Sequence, residues 1–257
     1  MFVPDLEHEK TLRPWPDMVG SRPEGRFKVE LSRIMDITPL DAQLGIWPKQ
    51  TIPDPLAPLV FGQDGALKGL HSYALLDGAK IDNLPEELAN TALPHRCLFK
   101  GAAEADWGHV APWLVALDPD NRLTRRLFTK GAENFGLWQF GPALFLRSAA
   151  TLGDLWRHLR KFTRVEDETG NWVYFRFWDP VSQVMMHRSQ HLAGPRAFFR
   201  PLPLTLAPQP HDNSCYVLKS DYQPAPDELP LTGQRADEAQ GGAGVSGWND
   251  NPHDGAS

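Results

Sequence analysis

The chain has 257 residues, 41% of them hydrophobic, and a net charge of −6 at pH 7. This length suits one large domain or two small ones, and this composition can supply a core. All of the net charge lies from residue 220 onward, so residues 1–219 are neutral, which argues against a dedicated nucleic-acid-binding protein. No apolar run reaches the roughly 18 residues that a membrane span needs.

The cysteines and the N-terminal segment indicate the compartment. Cys97 and Cys215 lie far apart in the sequence and form no CxxC pair, which favours a reducing cytoplasm. The first residues, MFVPDLEHEK, lack the basic region and apolar run of a signal peptide. We therefore expect a cytoplasmic protein that does not bind a membrane.

The first quarter of the chain, residues 1–65, is rich in proline, which repeatedly interrupts secondary structure. One short strand is predicted over residues 26–31, where apolar and charged residues alternate. We expect an irregular arm or N-terminal extension that either wraps the core or extends from it.

Regular structure begins near Leu70. Apolar runs bounded by turn residues predict strands, and apolar residues at helical spacing predict helices. The predicted strands cover residues 71–76, 97–99, 113–117 and 144–146. The predicted helices cover residues 84–92 and 121–134.

The stretch 143–180 has the clearest local signals. Thr151 and Asp154 occupy the positions of a capping box, and an amphipathic helix follows. A hairpin is predicted around residues 169–170. In the strand after it, Val173, Phe175 and Phe177 should face one side, and Trp172, Tyr174, Arg176 and Trp178 the other. Asp179 and Pro180 then predict the start of a helix that runs to about residue 187.

The last third of the chain changes character at residue 220. Short strands are predicted over residues 197–199 and 215–218, and the acidic, glycine-rich segment 220–257 is predicted to be disordered. The predicted fold class is α/β: a single domain over residues 66–219 with a mixed β-sheet flanked by helices, preceded by the irregular arm and followed by the tail.

Motifs that carry chemistry are weak in this sequence. Gly242, Gly244 and Gly247 match GxGxxG, but they lie in the tail without a flanking strand and helix. His187 and His191 lack the glutamate of a zincin. We therefore expect no catalytic residue, no cofactor and no metal, and a protein that is not an enzyme.

Basic and aromatic residues are the better candidates for a site. The helix face from Arg157 to Arg164 either binds an acidic partner or is a solvated face that complements the helix dipole. Arg176 either contacts a partner or forms an internal ion pair, which we favour. The aromatic face of the strand after the hairpin is either a binding patch or a second core face.

Five segments, in order over about residues 70–188, resemble a known family: HSYALLDGAK, CLFKGAA, APWLVAL, LFLRSAATLGDLWRHLRKF and VYFRFWDP. The family is the bacterial type VI secretion effector-loading adaptors, or effector chaperones, a domain-of-unknown-function family found between spike and toxin genes. The positions that match the family's recurring pattern are Asp77, Gly78, Arg147, His158, Leu159, Arg160, Arg176, Phe177, Asp179 and Pro180.

The resemblance implies a function of binding alone. Such an adaptor holds the N-terminal region of an effector toxin in the cytoplasm and delivers it to the spike protein, without a cofactor, nucleic acid or membrane. The candidate partner-binding residues are Arg147, Arg157, Arg160, Arg176 and Trp178. Two alternatives stay open: an α/β enzyme with a site around Arg147, His158 and Asp179, and an immunity protein that binds a toxin.

Overall fold

The computed structural model describes residues 27–131, 136–166 and 169–221. Nine strands lie in these ranges: β1 (Val29–Ile34), β2 (His71–Asp77), β3 (His95–Cys97), β4 (Pro112–Ala116), β5 (Ala143–Ser148), β6 (Arg164–Glu166), β7 (Trp172–Tyr174), β8 (Leu204–Gln209) and β9 (Ser214–Ser220). Seven of them form one sheet in the order β1-β9-β8-β5-β2-β4-β3, and β6 pairs with β7 as a separate hairpin.

The α/β class with helices flanking a sheet is confirmed, but the sheet differs from the mixed one that was predicted. Every pairing between its named strands is antiparallel. The single parallel contact is an isolated bridge between Leu40 and Thr129. The sheet has no parallel pair at this point because the chain that leaves β5 through α5 does not add a strand beside β5. It forms the separate β6–β7 hairpin.

Helices cover both faces of the sheet. They are α1 (Ala57–Val60), α2 (Leu84–Ala89), α3 (Ala102–Trp107), α4 (Arg122–Phe128), α5 (Leu152–Arg160), α6 (Pro180–Arg188) and α7 (Ala193–Phe199). Buried side chains of α1, α2 and α4 join one core, which we call the α4 side. Those of α5, α6 and α7 join the other, the α5 side. Within the described ranges, no helix has the length and apolar character needed to cross a membrane.

Strand β5 shows why a continuous apolar run is buried here. All six of its residues are buried, since it lies in the middle of the sheet with a core on each side. Ala143 and Phe145 point into the α4-side core, and Leu144 and Leu146 into the α5-side core. By the same alternation, Arg147 points to the α4 side.

Local capping signals place two helices as predicted. The hydroxyl oxygen of Thr151 accepts a hydrogen bond from the backbone N–H of Asp154 at 3.2 Å, and α5 begins at the next residue after Thr151. A carboxylate oxygen of Asp179 accepts from the N–H of Val181 at 2.9 Å, and Pro180 is the first residue of α6. In both cases a side chain satisfies a backbone donor that the helix cannot.

Two predictions in the C-terminal half are wrong. The strand after the hairpin ends at Tyr174, and the chain then turns, so that Phe177 and Trp178 are both buried instead of facing opposite sides. Residues 197–199 belong to helix α7, not to a strand. Pro195 stands in the first turn of α7, where its missing N–H is harmless, and packing of Phe198 and Phe199 in the core outweighs their strand propensity.

The predicted division at residue 65 is not a domain boundary. Strand β1 completes the sheet by pairing with β9, and Ile37, Ile52 and Leu56 are buried in the α4-side core. Of the two alternatives for the arm, residues 27–65 therefore wrap the core. Strand β9 runs through Ser220, where the disordered tail was predicted to begin, and Asp221 still bonds the backbone of Lys28. The rest of the predicted tail, residues 222–257, lies outside the described residues, as do residues 1–26.

Side chains of α5 and of the turn after α6 bond backbone groups at the two outer strands of the sheet. At the β3 edge, the indole N–H of Trp156 donates to the carbonyl of Cys97 at 2.6 Å, and the guanidinium of Arg160 donates to that of Leu98 at 3.1 Å. At the β1 edge, the side-chain amide of Gln190 bonds both backbone groups of Val29, at 2.6 and 3.2 Å. These side chains thus satisfy the carbonyls of Cys97, Leu98 and Val29 and the N–H of Val29.

Arg147 is an interior anchor. It is 1% exposed, and burial lowers the pKa of its guanidinium. The guanidinium lies within hydrogen-bond distance of five carbonyl oxygens, those of Leu59, Val60, Gly62, Leu67 and Leu70. One cation thereby donates to the last carbonyls of α1 and to carbonyls of the segment that leads into β2.

Replacing Arg147 by methionine keeps most of the side-chain volume and leaves these carbonyls without a donor. We expect Arg147→Met to lower the free energy of unfolding by about 3 kcal/mol or more, measured by urea denaturation. The control is Arg157→Met. Arg157 is exposed, with an ion pair to Asp154 and a long hydrogen bond to the carbonyl of Gly153 on the surface, so its loss should cost less than about 1 kcal/mol. Equal losses in the two variants would contradict the anchoring role.

His158 should make stability depend on pH. Its Nε2 lies 3.0 Å from the carbonyl oxygen of Phe198 on α7, and burial lowers its pKa from 6.5 to about 4. Between these pH values the unfolded chain binds a proton that the folded chain does not. The free energy of unfolding therefore falls as the pH is lowered through this window, by up to about 3 kcal/mol.

The measurement is urea denaturation at pH 7 and at about pH 4.5, with the loss compared between variants. His158→Gln removes the titrating group, so its loss on acidification should be smaller than that of the wild type. His191→Gln, at an exposed position, should keep the wild-type loss. The assignment is wrong if His158→Gln loses as much stability as His191→Gln does.

Candidate functional site

The five predicted partner-binding residues do not form one surface. Arg147 points into the α4-side core, and Trp178 is 5% exposed and packs in the α5-side core. Neither side chain is available to a partner on the surface of this fold. Arg157, Arg160 and Arg176 remain at the surface, and each has an intramolecular partner.

Arg176 forms the internal ion pair that the sequence favoured. Its guanidinium donates to a carboxylate oxygen of Asp77 at 2.6 Å and lies 5.4 Å from the ring centroid of Trp178. Asp77 is 3% exposed, and its other oxygen accepts from the N–H of Ala79 at 3.2 Å. This pair ties the end of β2 to the segment between β7 and α6, so Arg176 is first a fold-forming residue.

Arginine and aromatic side chains instead converge around the outer surface of α5. The guanidinium groups of Arg96 and Arg160 lie 5.1 and 4.5 Å from the ring centroid of Trp156. Arg96 comes from edge strand β3, whereas Trp156 and Arg160 lie on α5. Cation–π contacts of this kind hold the guanidinium groups in place at the surface.

The β6–β7 hairpin continues this surface. The guanidinium of Arg164 lies 5.8 Å from the ring of Trp172 and 5.7 Å from that of Tyr174. The ring of Tyr174 in turn lies 5.1 Å from that of Phe99, just beyond β3. We call the whole set the cation–aromatic surface: Arg96, Phe99, Trp156, Arg160, Arg164, Trp172 and Tyr174.

The cation–aromatic surface has the composition of a protein-binding site. Trp172 and Tyr174 are 49% and 55% exposed, although each carries a large apolar ring. Tryptophan, tyrosine and arginine are the residues that most often dominate binding energy at protein interfaces. Their rings and guanidinium groups are already ordered by mutual contacts, which reduces the entropy lost when a partner binds.

The residues proposed for an alternative enzyme site do not converge. Arg147 bonds carbonyls on the α4 side, whereas His158 bonds the carbonyl of Phe198 on the α5 side. Asp179 caps α6. In the ranges that the structure describes, no three His, Cys, Asp or Glu side chains are grouped to hold a metal ion.

The two thiols are poor candidates for nucleophiles. Burial raises the pKa of Cys97 to about 11 and that of Cys215 to about 12. A reactive cysteine needs a lowered pKa, since the thiolate is the nucleophile. Both cysteines are buried and therefore serve as small core residues.

Part of the cation–aromatic surface was not predicted from the sequence. Arg160 and the basic face up to Arg164 were candidates, but Arg96 and Phe99 were not, because a nonlocal pairing of β3 and β4 brings them to α5. A signal was present for Trp172 and Tyr174, since aromatic residues alternate there. Their exposure depends on where the strand ends, which the alternation does not reveal.

Comparison with known proteins gives one match. Residues 72–193 match the model of a family described as "Domain of unknown function (DUF4123)". No curated protein and no solved structure matches the chain. The matched range begins in β2 and ends at the start of α7, so β1, β8 and β9 lie outside it. The cation–aromatic surface lies wholly inside the range that matches this family of unknown function.

Proposed function

We propose that the protein is a cytoplasmic adaptor that binds an effector toxin of a type VI secretion system and loads it onto the spike protein. The observation that supports the proposal is that two matches cover nearly the same residues. The chain resembles the effector-loading adaptors, themselves a domain-of-unknown-function family, over about residues 70–188, and the family model matches residues 72–193.

The cation–aromatic surface is the effector-binding surface in this proposal. It lies within the matched range and exposes Trp172 and Tyr174 beside ordered arginines. A stable protein interface buries roughly 800 Å² on each partner, so the contact would extend beyond these seven side chains. Binding alone suffices for an adaptor, and no chemical step is required of the chain.

The proposal also specifies which part of the toxin is bound. An adaptor holds the N-terminal region of the effector and leaves the catalytic domain free, whereas an immunity protein covers the catalytic domain. Pull-downs with effector fragments separate these two functions. Capture of an isolated catalytic domain, without the N-terminal region, would favour the immunity protein.

The direct test is co-purification of the full chain with type VI secretion effector and spike proteins from the same organism. Arg164→Ala combined with Trp172→Ala should weaken effector binding at least about tenfold, since both removed side chains are interface anchors. The control combines Met185→Ala and Arg188→Ala. These residues are also exposed, but on α6, which packs against β1 and β8 at the other end of the sheet.

Both double variants should keep the wild-type thermal unfolding temperature, because the four side chains are exposed. Failure of the folded wild type to capture either protein would refute the adaptor function. Equal loss of effector binding in the two double variants would refute the assignment of the surface.

A further inference from the structure

A second exposed apolar feature lies on the opposite side of the molecule, at the loop formed by residues 41–50. Leu44, Ile46 and Trp47 at its tip are 84%, 54% and 89% exposed. Three large apolar side chains within four residues form a contiguous patch, which on a soluble protein usually marks an interaction site.

The base of this loop is held in a defined shape. Gln43 is 7% exposed, and its side-chain amide forms two hydrogen bonds across the loop to the backbone of Gln50, at 2.8 and 2.6 Å. The N–H of Gln43 itself donates to a carboxylate oxygen of Asp41 at 2.7 Å. A buried amide therefore closes the loop and fixes the segment that carries Leu44 and Trp47.

A basic cavity adjoins the tip. It has a volume of about 210 Å³ and lies between the loop and helix α4. Its lining residues are Asp41, Ala42, Leu44, Lys49, Arg122, Arg125, Arg126 and Thr129. The loop contributes an apolar wall and helix α4 contributes three arginines.

Most of the cations in this cavity lack an acidic partner. Arg126 forms an ion pair with Glu87, but Lys49, Arg122 and Arg125 form none with any carboxylate in the described part of the chain. The Nε of Arg125 is buried without a hydrogen-bond partner among the described residues. Arg122 and Arg125 are one helical turn apart and share a face of α4.

The charge changes sign across the loop. On its other side lies a cleft of about 700 Å³, and its charged lining residues are the acids Asp36, Asp41 and Asp54. Carboxylates of a segment that binds here would therefore be attracted to the α4 side of the loop and repelled by the acids on the other side.

We infer that the 41–50 loop and the basic cavity beside it form a second docking surface, for an acidic amphipathic segment of a protein partner. Apolar side chains of the segment pack on Leu44 and Trp47, and its carboxylates pair with Arg122 and Arg125. Bidentate pairing of arginine with carboxylate supplies both attraction and geometry.

This surface is separate from the cation–aromatic surface. The loop leads from Leu40, which packs in the α4-side core, whereas Trp156 and Arg160 lie on the helix that covers the α5-side core. Two partners can therefore be held at once. The identity of the partners, effector and spike, rests on the proposed function. The chemistry of the segment rests on the loop and the cavity.

The test measures the dissociation constants of the full chain for the purified effector and the purified spike protein. We expect Arg122→Glu with Arg125→Glu, and separately Trp47→Ala, to weaken binding of one of these two proteins at least about tenfold, while binding of the other is kept. The matched control, Arg122→Lys with Arg125→Lys, keeps the charge and should keep most of that binding. The same binding should weaken as salt is raised.

The outcomes separate this inference from the proposed function. If the wild type binds neither protein, the proposed function is wrong, and so is the inference that the 41–50 loop binds one of these two proteins. If the wild type binds both, and the glutamate and Trp47→Ala variants bind both as tightly, this inference alone is wrong. It is also wrong if Trp47→Ala turns a dimer of the wild type into a monomer, because the patch is then covered by a second copy.

Discussion

The hydrogen bonds of Arg147 are the constraint on which the rest of the domain depends. The segment 59–70 contains the end of α1, one turn of 3-10 helix and no strand, so several of its carbonyls need a donor from elsewhere. Arg147 supplies that donor from the middle of the sheet. The segment links the wrapped residues 27–58 to β2, so one guanidinium fixes how the N-terminal part of the domain meets the region that matches the family model. An apolar side chain of similar volume cannot replace Arg147, because the carbonyls of this segment need hydrogen-bond donors.

Both proposed surfaces depend on side chains that are ordered from within. On the α5 side, Arg160 bonds the carbonyl of Leu98 while its guanidinium lies over Trp156. On the α4 side, the buried amide of Gln43 shapes a loop whose tip is exposed. A partner meets groups that have already lost much of their conformational freedom, so less of the contact energy is spent on ordering them.

Local chemistry predicted the elements that depend on neighbouring residues. Thr151, Asp179 and the apolar run of β2 each carry their signal within a few positions, and each element lies where it was expected. The burial of individual side chains was harder to predict, because it is set by residues that are distant in the sequence. Arg147 lies in a strand with a core on both faces. Trp178 follows a turn after Tyr174, and the regular alternation of residues 172–178 gives no sign of that turn. The same limit applies to the candidate site, where Arg96 and Phe99 reach α5 only through the pairing of β3 with β4.

Side chains bond part of each outer edge of the sheet, and these bonds affect how another chain can attach there. An uncovered outer strand is a template on which another chain can add a strand, and this is a common route to fibrils. Here Trp156 and Arg160 occupy outward-facing carbonyls at and beyond β3, and Gln190 does the same for Val29 on β1. A strand added at either end of the sheet would have to displace these side chains, which hinders polymerisation at those positions. Side chains at the surface can meanwhile change without loss of these backbone contacts.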